Sequence, residues 1–177
     1  MARYERASKE IAKQVKACLA SFHGALDEAG VTIDTLMAYA NVDANGDAVG
    51  PALTLGGYAC VGRIKVMGLK DRAAGRADAE LLLDGDKWNE FSDEEQSAII
   101  DHELTHLELQ VDDNGLRRDD LDRPKLRNRK HDHQFGWFDE VVRRHGRDSI
   151  ELMQYDHFVE TAYKQLWLPG VEEPVKA

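Results

Sequence analysis

A chain of 177 residues, 42% of them hydrophobic, has the length of one domain and enough apolar material to bury a core. Its formal charge of −10 argues against a general nucleic-acid-coating role, and its two cysteines, Cys18 and Cys60, make neither a disulfide framework nor a zinc knuckle. No run of about 18 apolar residues exists to span a membrane, and the charged start Met1-Ala-Arg-Tyr-Glu-Arg6 lacks the apolar centre of a signal peptide.

One domain is therefore expected over residues 1–170, with a frayed tail at 171–177 and a cytoplasmic location. Residues 3–29 read as one long helix. Ala7, Ile11, Val15, Cys18, Phe22 and Leu26 recur every three or four positions, and Gly30 supplies a stop. Residues 31–40 begin like a strand. Residues 43–47 have calcium-loop residue types at the wrong spacing, so 43–51 reads as a turn-rich loop. Residues 53–67 read as one or two strands bent at glycines. A charged connection at 69–75 leads to a strand at 77–84 and a short helical piece at 87–91. The strand at 77–84 is expected at a sheet edge, open to pairing with an extended peptide.

From 93 to 110 a helix is expected. Ser92 can cap it, Glu95 completes a capping box, and the acidic first turn suits the positive end of the helix dipole. Ala98, Ile99, Ile100, Leu104, Leu107 and Leu109 follow with mostly helical spacing. Asn114-Gly115 signals a tight turn. A hairpin or loop then runs through Pro124 to 125–130, and two helices follow at 134–145 and 149–166. Charge is uneven: residues 117–147 hold ten Lys/Arg against six Asp/Glu, which is +4 there and −14 elsewhere. Nucleic acid is a weakly supported partner on that ground, and internal pairing of these charges is the simpler account.

The helix at 93–110 carries Asp101-His102-Glu103-Leu104-Thr105-His106-Leu107, which contains His-Glu-x-x-His. In a helix, His102 and His106 sit one turn apart on the same face. Two imidazoles so placed can hold one Zn²⁺, and the Glu between them can reach a metal-bound water. A chance match on a surface helix would lack the apolar frame of Ile99, Ile100, Leu104 and Leu107.

A catalytic zinc site takes three protein ligands and leaves one position for water. Of the remaining histidines, His131 and His133 stand at the mouth of a predicted helix, and His131 is favoured as third ligand. His133, Glu140 and Glu160 stay open as alternatives. Asp132 is either a helix cap or a group that orients a ligand. In such a site Zn²⁺ lowers the pKa of its water to about 7 and polarises a peptide carbonyl. Glu103 is then the general base that passes the proton to the leaving amine. Tyr155, His157 and Tyr163 are candidates for a second oxyanion stabiliser.

The motif helix resembles the zincin metallopeptidases. His102-Glu-x-x-His106 followed by His131-Asp132-x-x-Phe135 is similar to the SprT/Spartan-like group, in which a His with a Phe four positions on is the third zinc ligand. Arg63-Ile-Lys-Val66, Lys70-Asp-Arg72, Asp78, Arg123-Pro-Lys125, Lys130-His-Asp132 and Phe135-Gly-Trp-Phe-Asp139 together resemble the phage metallopeptidase family over roughly residues 30–150. The resemblance implies His102, His106 and His131 as ligands and Glu103 as base, in the cytoplasm of a bacterial host cell. It implies no particular substrate. No extended metzincin motif follows His106.

The expectation is an α+β, zincin-like domain: a small mixed or antiparallel sheet, an HExxH active-site helix and flanking helices. It would act as a zinc-dependent metallopeptidase on a polypeptide substrate, with no membrane partner. One rival is a catalytically silent zinc protein that binds a host factor or a DNA-associated partner. The other is a structural zinc site in a virion or regulatory component.

Overall fold

The computed structural model describes residues 3–130, 143–144 and 155–160. The chain divides into two compact units, Met1–Lys130 and His131–Ala177. In the second, residues 143–144 and 155–160 are helical. The rest of the helices expected at 134–145 and 149–166 lies outside the described residues.

The first unit opens with three elements where one long helix is expected: strand β1 (Arg3–Arg6), helix α1 (Lys9–Phe22) and helix α2 (Gly24–Glu28). Ser8 starts α1 by accepting the Ile11 backbone N–H. Arg3–Arg6, ahead of that cap, pairs antiparallel with β2 (Ile33–Tyr39). That tertiary pairing outweighs any local helical preference. Val15, Cys18 and Leu26 are buried as expected, but Leu19 completes the face and Phe22 is 71% exposed.

Two small hairpins follow. Strands β3 (Asn41–Val42) and β4 (Ala48–Val49) pair around a turn in which the Asp43 carboxylate accepts the Asn45 and Asp47 backbone N–H groups. Strands β5 (Thr54–Leu55) and β6 (Tyr58–Ala59) turn at Gly56 and Gly57, both at positive φ. The chain then enters β7 (Gly62–Val66), a short helix α3 (Leu69–Ala73) where a charged connection is expected, and β8 (Ala79–Asp84).

The main sheet has the order β1-β2-β8-β7. The β2–β8 pair is parallel and its neighbours are antiparallel, so the sheet is mixed, as expected. Strand β8 does not lie at an edge. Leu81, Leu82 and Leu83 are all buried, which is the pattern of a strand covered on both faces. The edges are β1 and β7, and β7 has no hydrogen-bonded strand on its other side among the described residues.

A 3₁₀ turn (Trp88–Glu90) leads to helix α4 (Asp93–Thr105). The expected capping box is present: the Ser92 side chain accepts the Glu95 N–H, and Glu95 accepts the Ser92 N–H. Ile100 and Leu104 are fully buried in the core shared with α1, β2, β7 and β8. The helix ends at Thr105 rather than near 110. Residues after it form β9 (Leu107–Leu109), the hairpin β10 (Val111–Asp112) and β11 (Gly115–Leu116), and β12 (Leu126–Asn128), which pairs antiparallel with β9. The tight turn expected at Asn114-Gly115 is present, with Asp113 and Asn114 as its two loop residues and Gly115, at positive φ, opening β11.

A buried ionic network ties this return segment to the sheet. Asp78 is 1% exposed. It pairs with Arg72 and Arg123, and it accepts the backbone N–H and hydroxyl of Thr32 at 2.8 and 2.7 Å. Arg72 also reaches Asp119 at 2.8 Å and donates to the Pro124 carbonyl at 2.9 Å. Burial pushes the Asp78 carboxyl up, but the Thr32 donors, Arg123 and Arg72 outweigh it and hold the group below its usual range.

Candidate metal centre

The last turn of α4 carries the motif. His102 lies in that turn and His106 caps it. Their ring centroids are 5.1 Å apart and the rings meet edge to face at 83°. His102 is exposed and His106 half-buried. The helical spacing thus brings both imidazoles together, as the sequence predicts.

His106 is held from its far side. Its Nδ1 lies 2.8 Å from the Arg129 carbonyl oxygen, and the Arg129 backbone N–H donates to the His106 carbonyl at 2.7 Å. Donation from Nδ1 to a carbonyl leaves Nε2 with its lone pair available, which is how metal-binding histidines are oriented. Sequence reasoning missed Arg129, because the contact depends on β9 pairing with β12.

Glu103 faces the sheet and is 7% exposed. A Cβ built at Gly62 would lie 2.9 Å from Glu103 Cγ and 3.0 Å from its Oε1. The backbone at Gly62 is not in the left-handed region, so its glycine supplies room rather than conformational freedom. Burial pushes the Glu103 carboxyl above its usual range. His106, the Ile64 backbone N–H and Arg63 favour the charged form but do not cancel that effect. A carboxyl raised in this way takes up a proton more readily than an exposed one, which suits a general base. Gly62 was read in sequence only as part of a bent strand segment, since nothing local connects it with Glu103.

Two imidazoles on one helix face, one with its tautomer set, are donors suited to a divalent transition metal, and the carboxyl that stands between them in sequence is buried. His131, His133, Glu140 and Tyr163 lie outside the described residues. Glu160, Tyr155 and His157 belong to the second unit, where all three are exposed. Within the basic stretch, Arg123 pairs with Asp78 at 2.9 Å and Arg127 with Glu108 at 2.7 Å, and Arg117 and Arg118 approach Asp112 and Asp122 at 3.8 and 3.7 Å. These cations are matched internally. No described helix is long and apolar enough to cross a membrane.

An α+β chain with His-Glu-x-x-His at the end of a helix packed on the core by one face has the general character of a metallopeptidase domain. The family model described as "Putative phage metallopeptidase" matches residues 2–164, and the chain belongs to that family. No curated protein and no solved structure matches it significantly.

Proposed function

We propose that this protein is a zinc-dependent peptidase with a zincin-like arrangement, in which His102, His106 and His131 hold the metal and Glu103 is the general base. The observation that carries the reading is the pairing of two histidines one turn apart with a buried carboxyl between them. Family membership supports it. His131 follows Arg129, which is hydrogen-bonded to His106, by two residues in sequence. Bound zinc would supply a Lewis acid for the scissile carbonyl and a lowered pKa for water. Glu103 takes a proton from the attacking water and delivers it to the leaving amine. The outer edge of β7, on which Glu103 rests through Gly62, offers backbone groups to a substrate in extended form.

Metal content and cleavage of casein or a peptide library, measured on wild type and on His102→Ala, His106→Ala, His131→Ala and His133→Ala, test the ligand set. Zinc and cleavage are expected to fall together in the first three and to survive in His133→Ala. Equal losses in His131→Ala and His133→Ala would remove the case for His131. Zinc bound in wild type without cleavage of any substrate would favour the silent binding protein.

Gly62→Ala tests the seat of the base. The added methyl displaces the Glu103 side chain while leaving the backbone in an ordinary strand conformation. Misplacing a reacting group by about 1 Å costs on the order of 10²-fold in rate. A loss of that size is expected in kcat, with metal content unchanged and the melting temperature held or slightly raised. Full activity in Gly62→Ala would show that Glu103 does not need the slot.

A further inference from the structure

Cys18, His23 and Asp101 bring one sulfur, one nitrogen and one oxygen donor within 4.8 Å of one another, and none of them is a proposed ligand of the first site. We propose that these three residues form a second metal site, selective for Zn²⁺ or a similar thiophilic divalent ion, that clasps α1 to the motif helix. The site does not depend on the peptidase reading.

Its parts come from two packed elements. Cys18 lies on the buried face of α1, His23 caps the end of that helix, and Asp101 lies on α4. His23 Nε2 is 2.7 Å from Asp101 Oδ1. Zn–S bonds of about 2.3 Å and Zn–N or Zn–O bonds of about 2.0–2.2 Å put tetrahedral donors roughly 3.3–3.6 Å apart. Metal entry therefore opens the His23–Asp101 pair slightly and draws Cys18 inward, which side-chain rotation can accomplish.

The donor chemistry selects the ion. A thiol and an imidazole exclude Ca²⁺ and Mg²⁺, which take oxygen ligands, and favour zinc. His23 and Asp101 also line an open cleft of about 590 Å³ bounded by Phe22, Thr105 and Glu108. Water from that cleft can complete a fourth coordination position. Without metal the Cys18 thiol is inert: burial and the nearby Asp101 push it up to about 11. A thiophilic ion displaces the thiol proton, which leaves to solvent, and the thiolate becomes a ligand. The plain alternative is that His23–Asp101 is only a polar tie between helix ends, with Cys18 as core filling.

Cobalt distinguishes the two readings, because a Co²⁺–thiolate bond gives a near-ultraviolet charge-transfer band that histidine and carboxylate ligands do not. Metal-stripped full-length protein is titrated with Co²⁺ under anaerobic, reducing conditions. The band is expected in wild type, in Cys60→Ser and in the double variant His102→Ala/His106→Ala. It is expected to vanish in Cys18→Ser and Cys18→Ala, two variants whose folding is checked by circular dichroism. His23→Ala should raise the cobalt concentration at half-saturation of the band at least tenfold. Absence of the band in folded wild type overturns the site, as does its survival in either Cys18 variant. Loss of the band in the double variant would assign the thiolate to the first site and overturn the proposal of a separate one. Because the readout is spectroscopic, failure to find a peptide substrate leaves this test unaffected.

Discussion

Glu103→Gln is expected to lower peptide-bond cleavage by about 10²–10⁴-fold, the usual contribution of a positioned general base. Zinc content should stay at the wild-type level, because Glu103 is not among the proposed ligands. The same substitution is expected to hold or raise the melting temperature of the metal-free protein. Glu103 is 7% exposed, and a neutral amide of the same shape removes the cost of keeping a charge there. A gain in stability paired with a loss of activity is the mark of a residue kept for chemistry rather than for folding. Cleavage that survives in Glu103→Gln would remove Glu103 from the mechanism. Unchanged biological activity in that variant would move the assignment to a protein that binds its partner without cutting it.

Asp78→Ala is expected to destabilise the fold by about 3–5 kcal/mol, the range for removing one partner from a buried ion pair. Arg72 would be left buried with one carboxylate partner fewer, and Thr32 would lose the acceptor of its backbone N–H and hydroxyl. Denaturant unfolding of the metal-free protein, followed by circular dichroism, measures the loss. A change below 1 kcal/mol would mean that the network rearranges around the gap. The pH dependence carries a sign. The folded Asp78 carboxyl titrates below its ordinary value of 3.8, so its stabilisation is complete above that value and disappears as pH falls through the folded value. Asp78→Asn should therefore show a shallower loss of stability on acidification than wild type.

The sequence and the structure agree best where the signals are local. Ser92 and Glu95 announce the start of α4 within four residues, and the spacing of His102 and His106 makes them neighbours on any helix. The end of that helix was not legible, because β9 is a strand only through pairing with β12 across a long return. Strand β1 was hidden for the same reason. Arg3–Arg6 has no hydrophobic pattern, and its partner lies beyond two helices. The strand nature of residues 79–84 was readable from composition, but its central place depends on a parallel partner at Ile33–Tyr39. Arg72, Asp78 and Arg123 stood in the sequence as separate pieces of a family resemblance. The fold joins them in one buried ionic network, so those three positions answer to structure rather than to chemistry. The seat of Glu103 at Gly62 was invisible, since a strand glycine gives no local sign of what fills the space above it.

The two margins of the main sheet carry opposite burdens with respect to self-association. On one side, β1 is short and exposed throughout, with Arg3, Glu5 and Arg6 along it and the Arg3 guanidinium 4.3 Å over the Tyr39 ring. Such a charged, brief strand discourages a second molecule from adding to the sheet. Without residues 3–6, the apolar run Leu36-Met37-Ala38 of β2 would become a bare margin and a template for aggregation. Among the described residues the β7 margin has no comparable cover strand, and Arg63 and Lys65 are the charges placed along it. One margin of the sheet is therefore guarded against self-association by four residues that belong to neither the motif nor its helix.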